Sequence, residues 1–95
     1  MDEEGIRKIL EGVMHPEINA NLLELGIVRD FSVDGNKVVV TMAFPFPGVP
    51  IKGMLMDSVR KPLEEAGLVV EIKEDVMNQE ELQKFFKLEQ EKWKF

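Results

Sequence analysis

The chain of 95 residues is predicted to fold as a two-layer α+β domain with a small mixed three-stranded sheet. Two observations predict this. The turn-forming sequence Asp34-Gly35-Asn36 separates two β-rich segments, which indicates a hairpin. A helix-length segment then separates the hairpin from a third β-rich segment, which indicates a β-α-β crossover, expected to be right-handed. The predicted element order is α-β-β-α-β-α.

The first helix is predicted over residues 3–13 because its apolar residues recur at the spacing of one helical face: Ile6, Ile9, Leu10 and Val13. Asp2 is a suitable N-cap. Pro16 should end the helix, since a residue that precedes proline resists the helical conformation. A short helical turn is expected over residues 19–25.

Three segments have strand character. Residues 27–33 alternate imperfectly between apolar and polar side chains, residues 37–42 are rich in β-branched side chains, and residues 68–73 form the third segment. The helix between the second and third strands is predicted over residues 51–66. Pro50 suits its first position.

Pro62 lies inside the predicted crossover helix, where a proline removes one hydrogen bond and costs about 3 kcal/mol. The sequence therefore predicts either a kink over residues 58–62 or a helix that restarts there.

The chain is interpreted as a single domain over residues 1–95, with residues 79–95 as a C-terminal helical extension. Asn78 and Glu81 have the spacing of a capping box and should start this helix. The extension carries two pairs of aromatic residues. The first pair is Phe85 and Phe86, and we expect one or both of them to pack on the domain. For the second pair, Trp93 and Phe95, packing on the domain, a dimer contact and disorder all remain open.

Composition excludes several classes of function. A net charge of −6 with scattered basic residues disfavours nucleic-acid binding and anionic membranes, which both require a basic face. No apolar segment approaches the roughly 20 residues that a membrane helix needs, and the acidic start is unlike a signal peptide. A cytoplasmic location is therefore expected.

With no cysteine and a single histidine, the chain offers no disulfide, no thiolate ligand and no histidine cluster. We expect no metal site, no cofactor, no catalytic residues and no enzymatic activity.

A proline-rich loop between the second strand and the crossover helix is the first candidate functional feature. Its prolines and glycine fix an unusual backbone path between two regular elements, which is a common place for function. The alternative is a stiff connector that orients the next helix. If Phe46 points outward, it contributes to an apolar docking patch; otherwise it lies in the core. The candidate interaction residues are Pro45, Phe46, Pro47, Gly48, Val49 and Pro50.

A candidate polar site is formed by His15 and Glu17, on either side of Pro16. A histidine and a carboxylate together can bind a metal or move a proton. The alternative is structural: His15 caps the end of the first helix, and Glu17 bonds to nearby backbone amides.

Four segments together resemble the metal–sulfur cluster assembly family, which includes the SufT and PaaD-type proteins and the N-terminal domain of Mrp-type cluster carriers. The resemblance covers about residues 5–73. It rests on Met14-His15-Pro16-Glu17, on Asn21-Leu22-Leu23-Glu24-Leu25-Gly26-Ile27-Val28-Arg29, on Val38-Val39-Val40-Thr41-Met42 and on Pro47-Gly48-Val49-Pro50.

The resemblance implies a role in iron–sulfur cluster assembly, with two departures. The family usually has aspartate at the position of His15, and it usually has a cysteine at the position of Val49. The first hypothesis is therefore an accessory protein that contacts assembly scaffolds or client proteins without cysteine ligation of a cluster, as a monomer or a homodimer. The alternatives are a docking module or subunit of an unrelated assembly and, last, an enzyme that uses His15 and Glu17.

Overall fold

A computed structural model describes residues 1–95 and contains three helices and one three-stranded sheet. The order α-β-β-α-β-α confirms the predicted α+β fold. None of the three helices combines the length and the apolar character needed to cross a membrane. The elements are α1 (Glu3–Glu11), β1 (Val28–Asp34), β2 (Lys37–Phe44), α2 (Lys52–Glu65), β3 (Val69–Val76) and α3 (Gln79–Lys92).

Strand β2 lies at the centre of the sheet, antiparallel to β1 and parallel to β3. The hairpin turn uses Gly35 at a φ of 61°, a conformation that glycine adopts without strain. The side chains of β2 alternate between buried and half-buried as far as Met42, and its last three residues are all buried. The buried residues of β2 belong to the hydrophobic core: Val38, Val40, Met42, Ala43 and Phe44.

A β-bulge at Arg29 explains the imperfect alternation of β1. Val28 pairs with Met42, whereas Asp30 pairs with Thr41, so Arg29 is an extra residue without a partner on β2. The bulge brings the apolar side chains of β1 to one face of the sheet: Val28, Phe31 and Val33.

Helix α2 differs from its prediction at both prolines. It begins at Lys52 with Ile51 as N-cap, so Pro50 precedes the helix and does not occupy its first position. The physical reason is a turn in which the Lys52 N–H donates to the Val49 carbonyl at 3.2 Å. The helix is continuous through Pro62, and the predicted restart is wrong. The helix therefore tolerates the one hydrogen bond that Pro62 cannot donate to the Ser58 carbonyl.

The remaining elements begin with the caps that the sequence predicts. The Asp2 carboxylate accepts from the Gly5 N–H at 2.9 Å and starts α1. Asn78 and Glu81 form the reciprocal capping box of α3. The helical turn expected over residues 19–25 is present near its end, where the Leu25 N–H donates to the Asn21 carbonyl and the Gly26 N–H to the Leu23 carbonyl, each at 3.1 Å.

Candidate functional site

Three distant segments surround one groove of about 410 Å³. The turn after α1 contributes His15 and Glu17, the proline-rich loop contributes one wall, and α3 contributes the other. The two candidate features found in the sequence therefore belong to one surface.

The proline-rich loop places only part of its length in the groove. Pro45, Phe46, Val49 and Pro50 line it, whereas Pro47 and Gly48 are exposed outside it. Phe46 is 50% exposed and presents its ring to the groove. Its outward position follows from the end of β2 two residues earlier, because the strand no longer holds the chain against the core.

His15 is only 5% exposed, and one of its two ring nitrogens is already used. Its Nδ1 accepts a hydrogen bond from the Glu17 N–H at 3.0 Å. Burial lowers the pKa of His15, the Glu17 carboxylate raises it by a smaller amount, and the Lys94 ammonium lowers it. The neutral imidazole is favoured, and with Nδ1 as acceptor its proton resides on Nε2.

The Nε2 atom of His15 has no hydrogen-bond partner within the chain. It is not sealed from solvent, since the structure contains no fully buried side-chain nitrogen or oxygen that lacks a partner. His15 lines the groove, and Nε2–H is the one donor of its side chain that has no partner.

Helix α3 forms an aromatic wall that the sequence indicated only as an apolar tail. Phe85 is 5% exposed and joins the core, whereas Phe86 is 44% exposed, with the two ring centroids 5.9 Å apart. Trp93 is 43% exposed and lines the same groove. These rings extend the apolar surface of Phe46 across the groove.

The C-terminal end of α3 is held by backbone hydrogen bonds to the turn that carries His15. The Asn19 N–H donates to the Lys92 carbonyl at 2.8 Å, and the Lys94 N–H donates to the Glu17 carbonyl at 3.1 Å. Ile18 and Trp93 form an isolated antiparallel bridge at the same place. The segments that contain His15 and Trp93 are thereby fixed to each other.

Acidic side chains are the only charged groups that line the groove. Glu17 and Glu89 both lie there, and neither forms an ion pair with a basic residue. Lys94 contacts the His15 carbonyl through Nζ at 3.4 Å but is not part of the lining. The groove thus combines aromatic walls, two carboxylates and one imidazole donor, and no thiol or hydroxyl group lines it.

A second polar cluster, not identified in the sequence, fastens the N-terminal end of α3. Arg29 donates to the Glu81 carboxylate at 2.8 Å and 2.9 Å and to Asp75 at 2.6 Å. The hydrogen bonds from Arg29 lower the pKa values of both carboxyl groups, and Glu81 in turn raises the pKa of Arg29. The bulge that takes Arg29 out of register makes this contact possible, which no local sequence signal reveals.

The family model for iron-sulfur cluster assembly proteins matches residues 3–73. The chain belongs to this family. The matched segment contains α1, the sheet almost to its end and α2, together with the turn of His15 and the proline-rich loop. Helix α3, which supplies the aromatic wall, lies outside it.

Two curated relatives carry a more specific description. The chain is 31% identical over 64 residues to the Fe-S protein maturation auxiliary factor YitW of Bacillus subtilis, covering 66% of this chain and 63% of that protein. It is 32% identical over 75 residues to an Fe-S protein maturation auxiliary factor of Porphyromonas gingivalis, covering 78% of this chain and 71% of that protein. The match thus spans less than two thirds of the Bacillus subtilis protein.

A solved structure has the same fold. The crystal structure of a domain of unknown function, DUF59, from Bacillus anthracis superposes with a TM-score of 0.63 at 32% identity, covering 79% of this chain and 73% of that one.

Proposed function

We propose that this protein is an accessory factor in the maturation of iron–sulfur proteins, which acts through contact with scaffold or client proteins and holds no cluster by cysteine ligation. Family membership and the names of both relatives support the pathway. The groove carries the proposed mode of action, because it unites the proline-rich loop, the polar turn and α3 in one largely apolar surface.

Val49 supports the absence of cluster ligation. Val49 lies in the groove wall, at the position where proteins of this family usually have a cysteine, and the chain contains no cysteine. After anaerobic reconstitution with iron and sulfide the purified protein should stay colourless, since no thiolate is available. A brown protein with stoichiometric iron and sulfide would contradict this part of the proposal.

The maturation role is tested in a Bacillus subtilis strain that lacks YitW, under conditions in which the deletion lowers the specific activity of an iron–sulfur enzyme. Expression of the wild-type chain should restore that activity. Phe46→Ser should not, because it removes an exposed ring from the groove. Val69→Ser is the matched control, since Val69 is another exposed apolar residue but lies on the edge strand away from the groove.

The outcomes separate the proposal from a docking module of an unrelated assembly. Failure of the wild-type chain to restore activity, at an expression level equal to that of YitW, would favour the unrelated assembly. Equal restoration by wild type and Phe46→Ser would leave the pathway intact but exclude the groove as its working surface.

We further propose that the action is not enzymatic, although the groove joins His15 to Glu17. Nδ1 of His15 is engaged by a backbone amide, and the groove lining contains no thiol or hydroxyl group for a histidine to activate. His15→Gln tests this, because glutamine keeps an N–H donor near the position of Nε2 but cannot transfer a proton at neutral pH. Restored maturation with His15→Gln is expected; its complete loss in a folded variant would favour catalysis.

A further inference from the structure

The chemistry of the groove indicates what kind of segment it binds. Three exposed or half-exposed rings give it an apolar surface, and rings of this kind are typical anchors at protein interfaces. The rings belong to Phe46, Phe86 and Trp93. The surface is therefore suited to one large apolar side chain of another protein.

Charge decides what should flank that side chain. Glu17 and Glu89 line the groove, no lysine or arginine lines it, and neither carboxylate forms an ion pair within the chain. The net charge of −6 adds a long-range attraction for basic segments. Lysine or arginine residues on either side of the apolar side chain would form ion pairs with these two carboxylates.

The buried imidazole supplies a third recognition element. His15 lines the groove, is almost fully buried, accepts a hydrogen bond at Nδ1 and keeps an Nε2–H that is neither paired nor fully buried. A donor held this rigidly suits a main-chain carbonyl of a peptide segment, because the carbonyl is present whatever the sequence. Three independent features thus point to the same ligand class.

We propose that the groove binds an extended segment of a partner protein in which a large apolar side chain is flanked by lysine or arginine. The apolar side chain packs among the rings, the basic groups pair with Glu17 and Glu89, and His15 donates from Nε2 to a main-chain carbonyl. The inference rests on the proposed function, since it specifies the partner contact of the same surface.

Binding is tested with the synthetic peptide GSKFKSG and two relatives, GSKAKSG and GSEFESG. Trp93 is the only tryptophan and lines the groove, so its fluorescence reports occupancy directly. GSKFKSG should give a saturable response with an affinity at least about tenfold above that of either relative, as expected from losing one apolar anchor or reversing two charges. No saturable response, or equal binding of all three peptides, overturns the inference.

A charge exchange locates the contact. Glu89→Lys should weaken GSKFKSG and strengthen GSEFESG, whereas Glu91→Lys, the same change two residues further along α3 and outside the groove, should leave the preference unchanged. An unchanged preference in Glu89→Lys overturns the assignment of Glu89. If the wild-type chain instead dimerises in sedimentation equilibrium and Phe86→Ser prevents it, the groove belongs to a second copy and the inference is wrong.

The role of the His15 side chain is tested by two variants, each of which keeps only one of the two hydrogen-bonding functions of the imidazole. His15→Gln keeps a donor near Nε2, and His15→Asn keeps an acceptor near Nδ1. Peptide affinity should survive in the glutamine variant and fall several-fold in the asparagine variant, with both checked for folding by circular dichroism. The reverse order excludes donation from Nε2.

The peptide titrations and the maturation assay test the two proposals independently. Lost peptide selectivity with intact restoration of enzyme activity rejects this inference alone. Intact selectivity in a chain that restores no enzyme activity rejects the proposed maturation role alone.

Discussion

The two ends of α3 are attached to the domain by different physical means. The N-terminal end begins with a capping box and is held by the ion pairs of Arg29 with Asp75 and Glu81. The C-terminal end is held by backbone hydrogen bonds to the turn of residues 15–19 and by Trp93. The first end fixes the helix, whereas the second also builds the groove.

This difference separates stability from function along one helix. Charged side chains at the first end can change without altering the groove, because none of them lines it. At the second end, the same residues that hold the helix also present the groove's donor, carboxylate and aromatic surface. Changes there should affect binding and stability together.

The largest effect is expected from Phe85, which lies between the two ends and joins the core. Phe85→Ala should lower the free energy of unfolding by about 3–5 kcal/mol, the usual cost of removing a buried phenylalanine ring. Phe86→Ala is the matched control, since its neighbouring ring is 44% exposed and should cost clearly less. Denaturant unfolding of both variants measures the difference; equal losses would mean that α3 is not anchored through Phe85.

The sequence predicts the first end of α3 better than the second. Asn78 and Glu81 interact locally, so their spacing is sufficient to identify the capping box. The bridge between Ile18 and Trp93 joins opposite parts of the chain, and no local pattern encodes it. The aromatic tail was recognised as apolar, but its place against the turn of His15 depends on tertiary packing.

For the candidate site, too, the sequence identifies local features but not the tertiary contacts that bring them together. The family resemblance and local chemistry identified His15, Glu17 and the proline-rich loop, but not that they share a groove. Glu89 was missed because a single carboxylate on a charged helix has no distinguishing signal. Arg29 was missed because its role depends on the β-bulge, which shifts it out of the regular alternation.

A smaller effect should follow from weakening the first end alone. Arg29→Lys keeps the charge but loses the bidentate geometry with Glu81, and it should cost about 1 kcal/mol because these side chains are partly exposed. The Arg29 hydrogen bonds lower the pKa of Glu81, so their contribution is present above the ordinary value of 4.5 and is lost as the pH falls through the lowered pKa.

The measurement is denaturant unfolding of wild type and Arg29→Lys at pH 7 and pH 3, with the peptide titration repeated at pH 7. The difference in stability should shrink at pH 3, while affinity for GSKFKSG should be unchanged at pH 7. A large loss of affinity would show that the first end of α3 also shapes the groove, and the separation of the two ends would be wrong.

The smallest expected effect lies at the second end and depends on His15. Burial lowers the pKa of His15 in the folded state, so the unfolded chain binds the proton more readily. Stability should therefore fall as the pH drops below the ordinary histidine value of 6.5, until the folded state is also protonated. Protonation of Nδ1 would also break the hydrogen bond from the Glu17 N–H, next to the Glu17 carbonyl that accepts from Lys94.

The measurement compares the stability of wild type and His15→Asn between pH 7.5 and pH 5.5. This comparison isolates the contribution of His15, because the carboxylates of the first end do not titrate in that range. Parallel stability curves for the two proteins would show that His15 is not held neutral by its burial.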